Sequence, residues 1–258
     1  MRGGPTVELR IVGSGGECVD GVGRSSPIDI VVVPFMVERR VPHEFGAGPS
    51  PVDVAAQLRE AIPDLTLKVL PGSRRRELYG SDLGLAFSRL WPFLDEGISA
   101  VVVTHGNVLR DLLSSAGRRC RHVPNGGVVE VRLTLPDQGR RQLFLVRHCL
   151  STSNARVPHG DLVTCLDPAA IDRARCVLER VAPRRVFFSS AMPRAIVTAC
   201  MLQRPFDVGD LARVAASLGE PPLTPLTGAQ RERYLSRGDC AKEFSVGFKG
   251  LERSTGAR

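Results

Sequence analysis

Short apolar runs and amphipathic stretches alternate along most of this chain. Apolar runs bounded by polar residues are typical of strands buried on both faces of a parallel sheet. We predict such strands at 28–33, 98–103, 143–146 and 186–190, with weaker ones at 7–12 and 123–135. Apolar residues at helical spacing predict helices at 51–62, 81–96, 108–117, 167–181, 193–202 and 205–219. This alternation predicts an α/β fold, a three-layer α/β/α sandwich with a mostly parallel central sheet.

Local sequence features support several of these boundaries. Pro51 and Pro168 fall in the first turn of their helices, where a missing backbone N–H removes no hydrogen bond. Ser81 is suited to cap the helix that follows it. We expect the stretch 63–76 to be a loop.

The same pattern divides the chain into three parts. Residues 1–27 are rich in glycine, and we expect a flexible N-terminal segment with a short strand at most. Residues 28–219 carry the alternating pattern and are expected to form a single domain. Residues 220–258 are rich in proline and then polar, which predicts a partly disordered C-terminal tail.

Composition narrows the class of protein without adding a function. No apolar run approaches the roughly 20 residues that a membrane helix needs, and the first residues lack the apolar stretch of a secretory signal. The seven cysteines are odd in number and irregularly spaced, so they predict no disulfide framework. We therefore expect a cytoplasmic protein without a membrane partner.

The net charge of +8 raises the question of a nucleic-acid partner. Among the 35 basic residues, only Lys68, Lys242 and Lys249 are lysines, whereas nucleic-acid surfaces usually draw on both basic types. An arginine excess beside abundant alanine, glycine, proline and valine is also typical of a GC-rich coding sequence. We favour this compositional explanation over a nucleic-acid interface, and the pattern leaves the oligomeric state open.

Residues suited to phosphate follow three of the predicted strands. They are His105 after the second strand, Arg147 and His148 after the third, and Arg194 after the fourth. Because the carboxyl ends of parallel strands meet at one edge of a sheet, we expect these side chains to converge. Two arginines, two histidines and the N-terminus of a helix would form an electropositive pocket for a phosphoryl group.

Several blocks of the sequence resemble the histidine phosphatase (phosphoglycerate mutase-like) superfamily. Residues 145–154, LVRHCLSTSN, resemble its L-V-R-H-G-E-S-x-x-N signature. Residues 187–199 resemble its S-S-x-x-x-R-A-x-x-T-A block, and residues 101–113 resemble its V-V-T-H-G-x-x-[IL]-R-x-L-L block. Residues 34–40, PFMVERR, resemble the segment that carries a catalytic acid, and residues 121–133 resemble the N-x-x-[VI] strand that closes the family's domain.

This resemblance spans about residues 28–202 and implies the roles of particular side chains. His148 would be the nucleophile that becomes phosphohistidine. Glu38, or its neighbour Glu44, would protonate the leaving oxygen and then help to activate water. The implied phosphate ligands are Arg147, Arg194, Asn154 and His105, which is also counted as catalytic, with Ser151 as a further candidate. The resemblance implies neither a metal nor a cofactor, and its partner would be a phosphorylated small molecule or a phosphoprotein.

The order of the blocks differs from that of the family. There the R-H-G block opens the domain and the H-G block closes it, whereas here the H-G block comes first. We therefore predict a circular permutation, with late-half blocks in 28–135, a connector at 136–142 and early-half blocks in 143–219. Permutation is tolerated where the original termini are close and the new break falls in an exposed loop.

Two positions depart from the family signature. Cys149 replaces the glycine after the catalytic histidine, in a tight turn where glycine has more conformational freedom. Leu150 replaces the glutamate that follows. Three functions therefore stay open. The first is a phosphomonoester hydrolase acting on a small or protein-borne phosphate, and the alternatives are a mutase-type phosphoryl transfer and a catalytically impaired module that binds phosphate or a phosphorylated ligand.

Overall fold

A computed structural model describes residues 6–12, 27–33, 51–70, 90, 92, 97–115, 123–135, 139–151 and 167–219 of the chain. The strands are β1 (Thr6–Val12), β2 (Ile28–Val33), β3 (Leu65–Val69), β4 (Ser99–Thr104), β5 (Val128–Leu135), β6 (Gly139–Arg147) and β7 (Arg185–Ser190). The helices are α1 (Pro51–Ala61), α2 (Gly106–Ser115), α3 (Pro168–Val181), α4 (Pro193–Gln203) and α5 (Val208–Ser217). The predicted alternation of strands and helices is confirmed.

The seven described strands form one mixed sheet. Their order across the sheet is β1-β5-β6-β4-β7-β2-β3. The five strands from β6 to β3 are parallel to one another. At one edge of the sheet, β5 pairs antiparallel with β6, and β1 pairs antiparallel with β5. The prediction of a mostly parallel sheet is therefore confirmed, and the strands that carry the candidate residues lie near its centre.

Helices cover both faces of this sheet. Val101 and Val103 of β4 belong to one apolar cluster with residues of α1, α3, α4 and α5. Ala100 and Val102 belong to a second cluster with residues of α2. Every residue of β4 is buried, as expected of a strand with helices on both sides. The arrangement is compatible with the three layers that the sequence predicts.

The local features at the helix ends explain where several elements begin. Asp167 caps α3, because its side chain accepts a hydrogen bond from the backbone N–H of Ala170 at 3.3 Å, and Pro168 follows it. Asp207 and Asp210 form a reciprocal capping box at the start of α5. The boundaries predicted for the helix at 167–181 are confirmed.

Two predicted loops contain strand residues instead. Within the stretch 63–76, Leu65–Val69 forms β3, which pairs in parallel with β2 and lies at the edge of the sheet. Within the predicted connector 136–142, residues 139–142 extend β6 and pair with β5. The connector between the two strands is therefore shorter than predicted, because the hydrogen bonds of the β5–β6 hairpin continue almost to its turn.

The outer parts of the chain are only partly described. Thr6–Val12 forms β1 and pairs along its whole length with β5, so the sheet extends into the N-terminal segment 1–27. Most of the predicted helix at 81–96 and the whole predicted tail at 220–258 lie outside the described residues. None of the described helices combines the length and the apolar character needed to cross a membrane.

One cysteine forms a disulfide bond, although the sequence predicts no disulfide framework. Cys176 of α3 is disulfide-bonded. Cys149 and Cys200 are free thiols. The irregular cysteine spacing does not predict this bond.

Candidate active site

Three neighbouring strands end together at one edge of the sheet. Thr104 of β4 lies opposite Arg147 of β6, and β7 ends beside them. His148 extends this pairing, since its backbone N–H donates to the carbonyl of Thr104 at 2.9 Å. His105 follows β4 directly, and Arg194 lies in the first turn of α4. The parallel register therefore places four of the predicted site residues at the same edge.

These four side chains form one buried cluster. The rings of His105 and His148 have centroids 5.1 Å apart, in an edge-to-face arrangement. The Nε of Arg194 lies 3.3 Å from Nε2 of His148. Exposure is 0% for His105, 2% for His148, 6% for Arg194 and 8% for Arg147. Two guanidinium groups in such a buried setting make the cluster strongly electropositive, which favours an anionic ligand.

The hydrogen bonds of His148 define which of its ring nitrogens carries the proton. Its Nδ1 lies 2.7 Å from the carbonyl oxygen of Cys149, which can only accept, so Nδ1 is the protonated nitrogen. On the other side of the ring, the Nε–H of Arg194 can only donate, so Nε2 offers its lone pair. The nitrogen that faces the guanidinium is therefore the nucleophilic one.

The environment of His148 also keeps the ring neutral. Burial is the largest cause that lowers the pKa of His148 well below its usual value. The nearby His105, Arg194 and Arg147 lower the pKa further, and the hydrogen bond to the Cys149 carbonyl opposes them. At neutral pH the imidazole is uncharged, so the lone pair on Nε2 is available for reaction.

His105 is also a neutral histidine. Burial, followed by the charges of Arg194 and Arg147, lowers the pKa of His105 well below its usual value. Its Nε2 lies 2.8 Å from the hydroxyl oxygen of Ser190. Its Nδ1 is buried and has no hydrogen-bond partner within the described part of the chain. This second imidazole therefore has one nitrogen that a ligand can engage.

A glycine allows the side chain of Arg147 to lie against the start of α2. The Nη1 of Arg147 donates to the carbonyl oxygen of Val123. A Cβ atom at Gly106 would lie 3.0 Å from Nε and 3.1 Å from Cζ of Arg147, closer than real side chains normally approach. The absence of a side chain at Gly106 thus lets the Arg147 guanidinium lie beside the N-terminus of α2. The positive charge of the guanidinium and the positive end of the helix dipole both favour an anion there.

Replacing Gly106 with alanine is expected to lower the affinity for phosphate while leaving the stability of the fold almost unchanged. The added methyl group displaces the Arg147 guanidinium, so phosphate affinity should fall about tenfold. Alanine also favours the helix, so the free energy of unfolding should stay within about 1 kcal/mol of the wild-type value. Calorimetric titration with phosphate and urea unfolding measure the two quantities.

The matched control for this variant is Gly209→Ala. Gly209 lies in the first turn of α5 and is exposed, and the atoms nearest to its added Cβ belong to Asp207 and Arg213. It should therefore keep the wild-type affinity for phosphate. Equal phosphate affinities in the two variants would contradict the proposed crowding of Arg147.

The side chain of Cys149 is buried and is not exposed at the turn. Its exposure is 0%, and it belongs to the larger apolar cluster. Its backbone N–H donates to the hydroxyl of Thr198 at 2.8 Å, and that hydroxyl donates to the carbonyl oxygen of Arg194 at 2.6 Å. Cys149, whose carbonyl group orients the His148 ring, is thus tied through its own N–H to the helix that carries Arg194.

Sequence reasoning gave no role to two residues that hold the site. Thr198 is one of them, and Asn125 is the other, since its Nδ2 donates to the carbonyl oxygen of His148 at 2.7 Å. Both lie inside blocks that resemble the family, at the threonine of R-A-x-x-T-A and at the asparagine of N-x-x-[VI]. Their positions in those motifs could have indicated a role at the site.

Of the remaining predicted site residues, the structure describes only one. Ser151 is buried, with an exposure of 0%, three residues after His148. Glu38, its alternative Glu44, and Asn154 lie outside the described residues. Val33, the last residue of β2, pairs with Ser190, so this end of β2 lies at the same edge as the cluster.

The chain was compared with protein-family models, curated proteins and solved structures. No protein-family model, curated protein or solved structure matches the chain. Within the described ranges, no three or more histidine, cysteine, aspartate or glutamate side chains are grouped so that they could hold a metal ion. The site is a buried cationic cluster with two neutral histidines at the carboxyl edge of an α/β sheet. Its groups can bind a tetrahedral anion and offer it a nucleophilic nitrogen.

Proposed function

We propose that the protein is a phosphomonoester hydrolase that works through a phosphohistidine at His148, on a small or protein-borne phosphate. One observation carries the proposal: the unprotonated Nε2 of a neutral His148 lies beside the guanidinium of Arg194, with His105 at 5.1 Å between ring centroids. The resemblance of the sequence blocks to histidine phosphatases supports the same reaction.

The reaction proceeds in two displacements at phosphorus. In the first, Nε2 of His148 forms a bond to phosphorus as the bond to the leaving oxygen breaks, and Glu38 gives that oxygen a proton. In the second, water attacks phosphorus, the N–P bond breaks and inorganic phosphate forms, while Glu38 takes the proton of the water. Arg147, Arg194 and His105 stabilise the charge on the phosphoryl oxygens in both steps.

The proposal includes the circular permutation that the order of the blocks predicts. The strand of the closing block is β5 and the strand of the opening block is β6, and these are antiparallel neighbours in the sheet. Antiparallel neighbours can be joined by a short turn. The hairpin therefore offers a simple covalent link between the two ends that the family leaves free.

Trapping the phosphoenzyme tests the proposal. Rapid acid-free quenching after mixing with a ³²P-labelled phosphomonoester should leave an alkali-stable, acid-labile label on the peptide that contains His148. The variant His148→Ala should carry no label. His159→Ala changes a histidine outside every block and should be labelled like the wild type. Unaltered turnover by His148→Ala would refute the assignment.

A second function is favoured by the neighbours of His148. Cys149 and Leu150 are buried, with exposures of 0% and 1%, where the family has glycine and glutamate. Apolar side chains there favour a module that binds phosphate or a phosphorylated ligand without turning it over. Phosphate binding without a phosphoenzyme, unchanged in Cys149→Gly, would support this alternative. Isomerisation of phosphoglycerates would instead identify a mutase.

A further inference from the structure

We propose that Ser190 is a positioning residue that makes Nδ1 of His105 a hydrogen-bond donor to the bound phosphoryl group. The inference rests on the proposed function for the identity of the ligand, and it adds a residue to which the motif comparison gave no role. It is carried by the juxtaposition of the Ser190 hydroxyl, the His105 ring and the backbone N–H of Met192 at the end of β7.

The geometry around Ser190 leaves few options for its hydroxyl group. Ser190 is the last residue of β7 and is fully buried. Its Oγ lies 2.8 Å from Nε2 of His105 and 3.2 Å from the backbone nitrogen of Met192. A hydroxyl group has one proton to donate and two lone pairs to accept with. The backbone N–H of Met192 can only donate, so it occupies one lone pair and leaves the hydroxyl proton for another partner.

The hydroxyl proton can therefore be directed at Nε2 of His105. In that arrangement Nε2 is the acceptor, and the single proton of the neutral imidazole lies on Nδ1. Nδ1 is buried, and no protein group in the described part of the chain bonds to it. A buried N–H without a partner is costly, and an anionic phosphoryl oxygen is a strong acceptor that would satisfy it.

The reverse arrangement would work against the ligand. If His105 donated from Nε2 to Ser190, Nδ1 would present a lone pair to an anion, and the contact would be repulsive. Protonating both nitrogens would give two donors, but burial and the two neighbouring arginines lower the pKa of His105 and oppose the charged form. The serine hydroxyl thus lets a neutral ring act as a donor.

The chain offers a matched control in the preceding residue. Ser189 is also fully buried, but its hydroxyl donates to the carbonyl oxygen of Ser190 at 2.9 Å. Removing either hydroxyl deletes one buried hydrogen bond at the end of the same strand. Only the removal of the Ser190 hydroxyl changes a partner of His105.

The test measures the tautomer of His105 and its affinity for phosphate in the full chain. Long-range ¹H–¹⁵N spectra distinguish a protonated Nδ1 from a protonated Nε2, and a His105→Gln variant identifies the signals among the five histidines. With saturating inorganic phosphate, the wild type and Ser189→Ala should show His105 protonated at Nδ1. In Ser190→Ala the Nδ1 tautomer should lose its dominance, and phosphate affinity should fall about tenfold.

Several results would overturn the role proposed for Ser190. A wild-type His105 protonated at Nε2 with phosphate bound, or no phosphate binding at all, overturns it even if Ser190→Ala does not fold. An unchanged tautomer and affinity in Ser190→Ala overturn it as well. If the predicted tautomer and loss of affinity are found but no phosphohistidine can be trapped, this inference stands and the proposed hydrolase function fails.

Discussion

Replacing His148 with asparagine will lower kcat/KM for a phosphomonoester by roughly 1,000-fold or more, because it removes the nucleophile of the proposed reaction. The unprotonated Nε2 of His148 accepts a hydrogen bond from Arg194 and carries the lone pair that would attack phosphorus, whereas the amide of asparagine offers no comparable nucleophile. Steady-state kinetics with a chromogenic phosphomonoester measures the loss.

Phosphate binding should survive the same substitution. Arg147 and His105 keep their hydrogen bonds to Val123 and Ser190. The backbone of residue 148 stays bonded to Thr104 and Asn125. Titration of the variant with inorganic phosphate should give an affinity within about tenfold of the wild-type value. A variant that keeps one tenth or more of the wild-type kcat/KM would show that another group attacks phosphorus.

The strands that form the centre of the sheet were predictable because they bury both faces. Residues 98–103 and 143–146 are almost continuously apolar; the first range overlaps β4 and the second lies within β6. β3 was missed because it has only five residues and lies at the edge of the sheet, although its apolar residues alternate with exposed Thr66 and Lys68. For such a strand, the neighbouring β2 determines the structure more than the local composition does.

The convergence of the site residues was predictable, whereas their hydrogen-bond chemistry was not. Parallel strands bring their carboxyl ends to one edge, so residues that directly follow those strands had to meet. The tautomer of His148 depends on the Cys149 carbonyl and on Arg194, which approach it only in the folded chain. The close approach of Gly106 to Arg147 likewise joins two distant parts of the sequence.

Replacing Arg194 with glutamine should lower kcat/KM by roughly 100- to 1,000-fold, the usual cost of removing one group that stabilises the transition-state charge. It should also change the pH dependence of the rate. The reactive form of His148 is the neutral one, so the rate falls as the pH drops through its pKa. Burial is the main cause that lowers this pKa, and the charge of Arg194 contributes after His105. Without that charge the pKa rises, and the acid limb of the pH–rate profile should move to higher pH.

Two further variants separate the charge of Arg194 from its shape. Arg194→Lys keeps the positive charge but loses the planar fork of donors, so its acid limb should stay near that of the wild type while its kcat/KM stays low. Arg184→Gln removes an exposed arginine that precedes β7, at the opposite end of that strand, and should change neither quantity. If the acid limb of Arg194→Gln coincides with that of Arg184→Gln, the charge of Arg194 does not help to keep His148 neutral. The low pKa would then rest on burial and on the remaining charges around the ring.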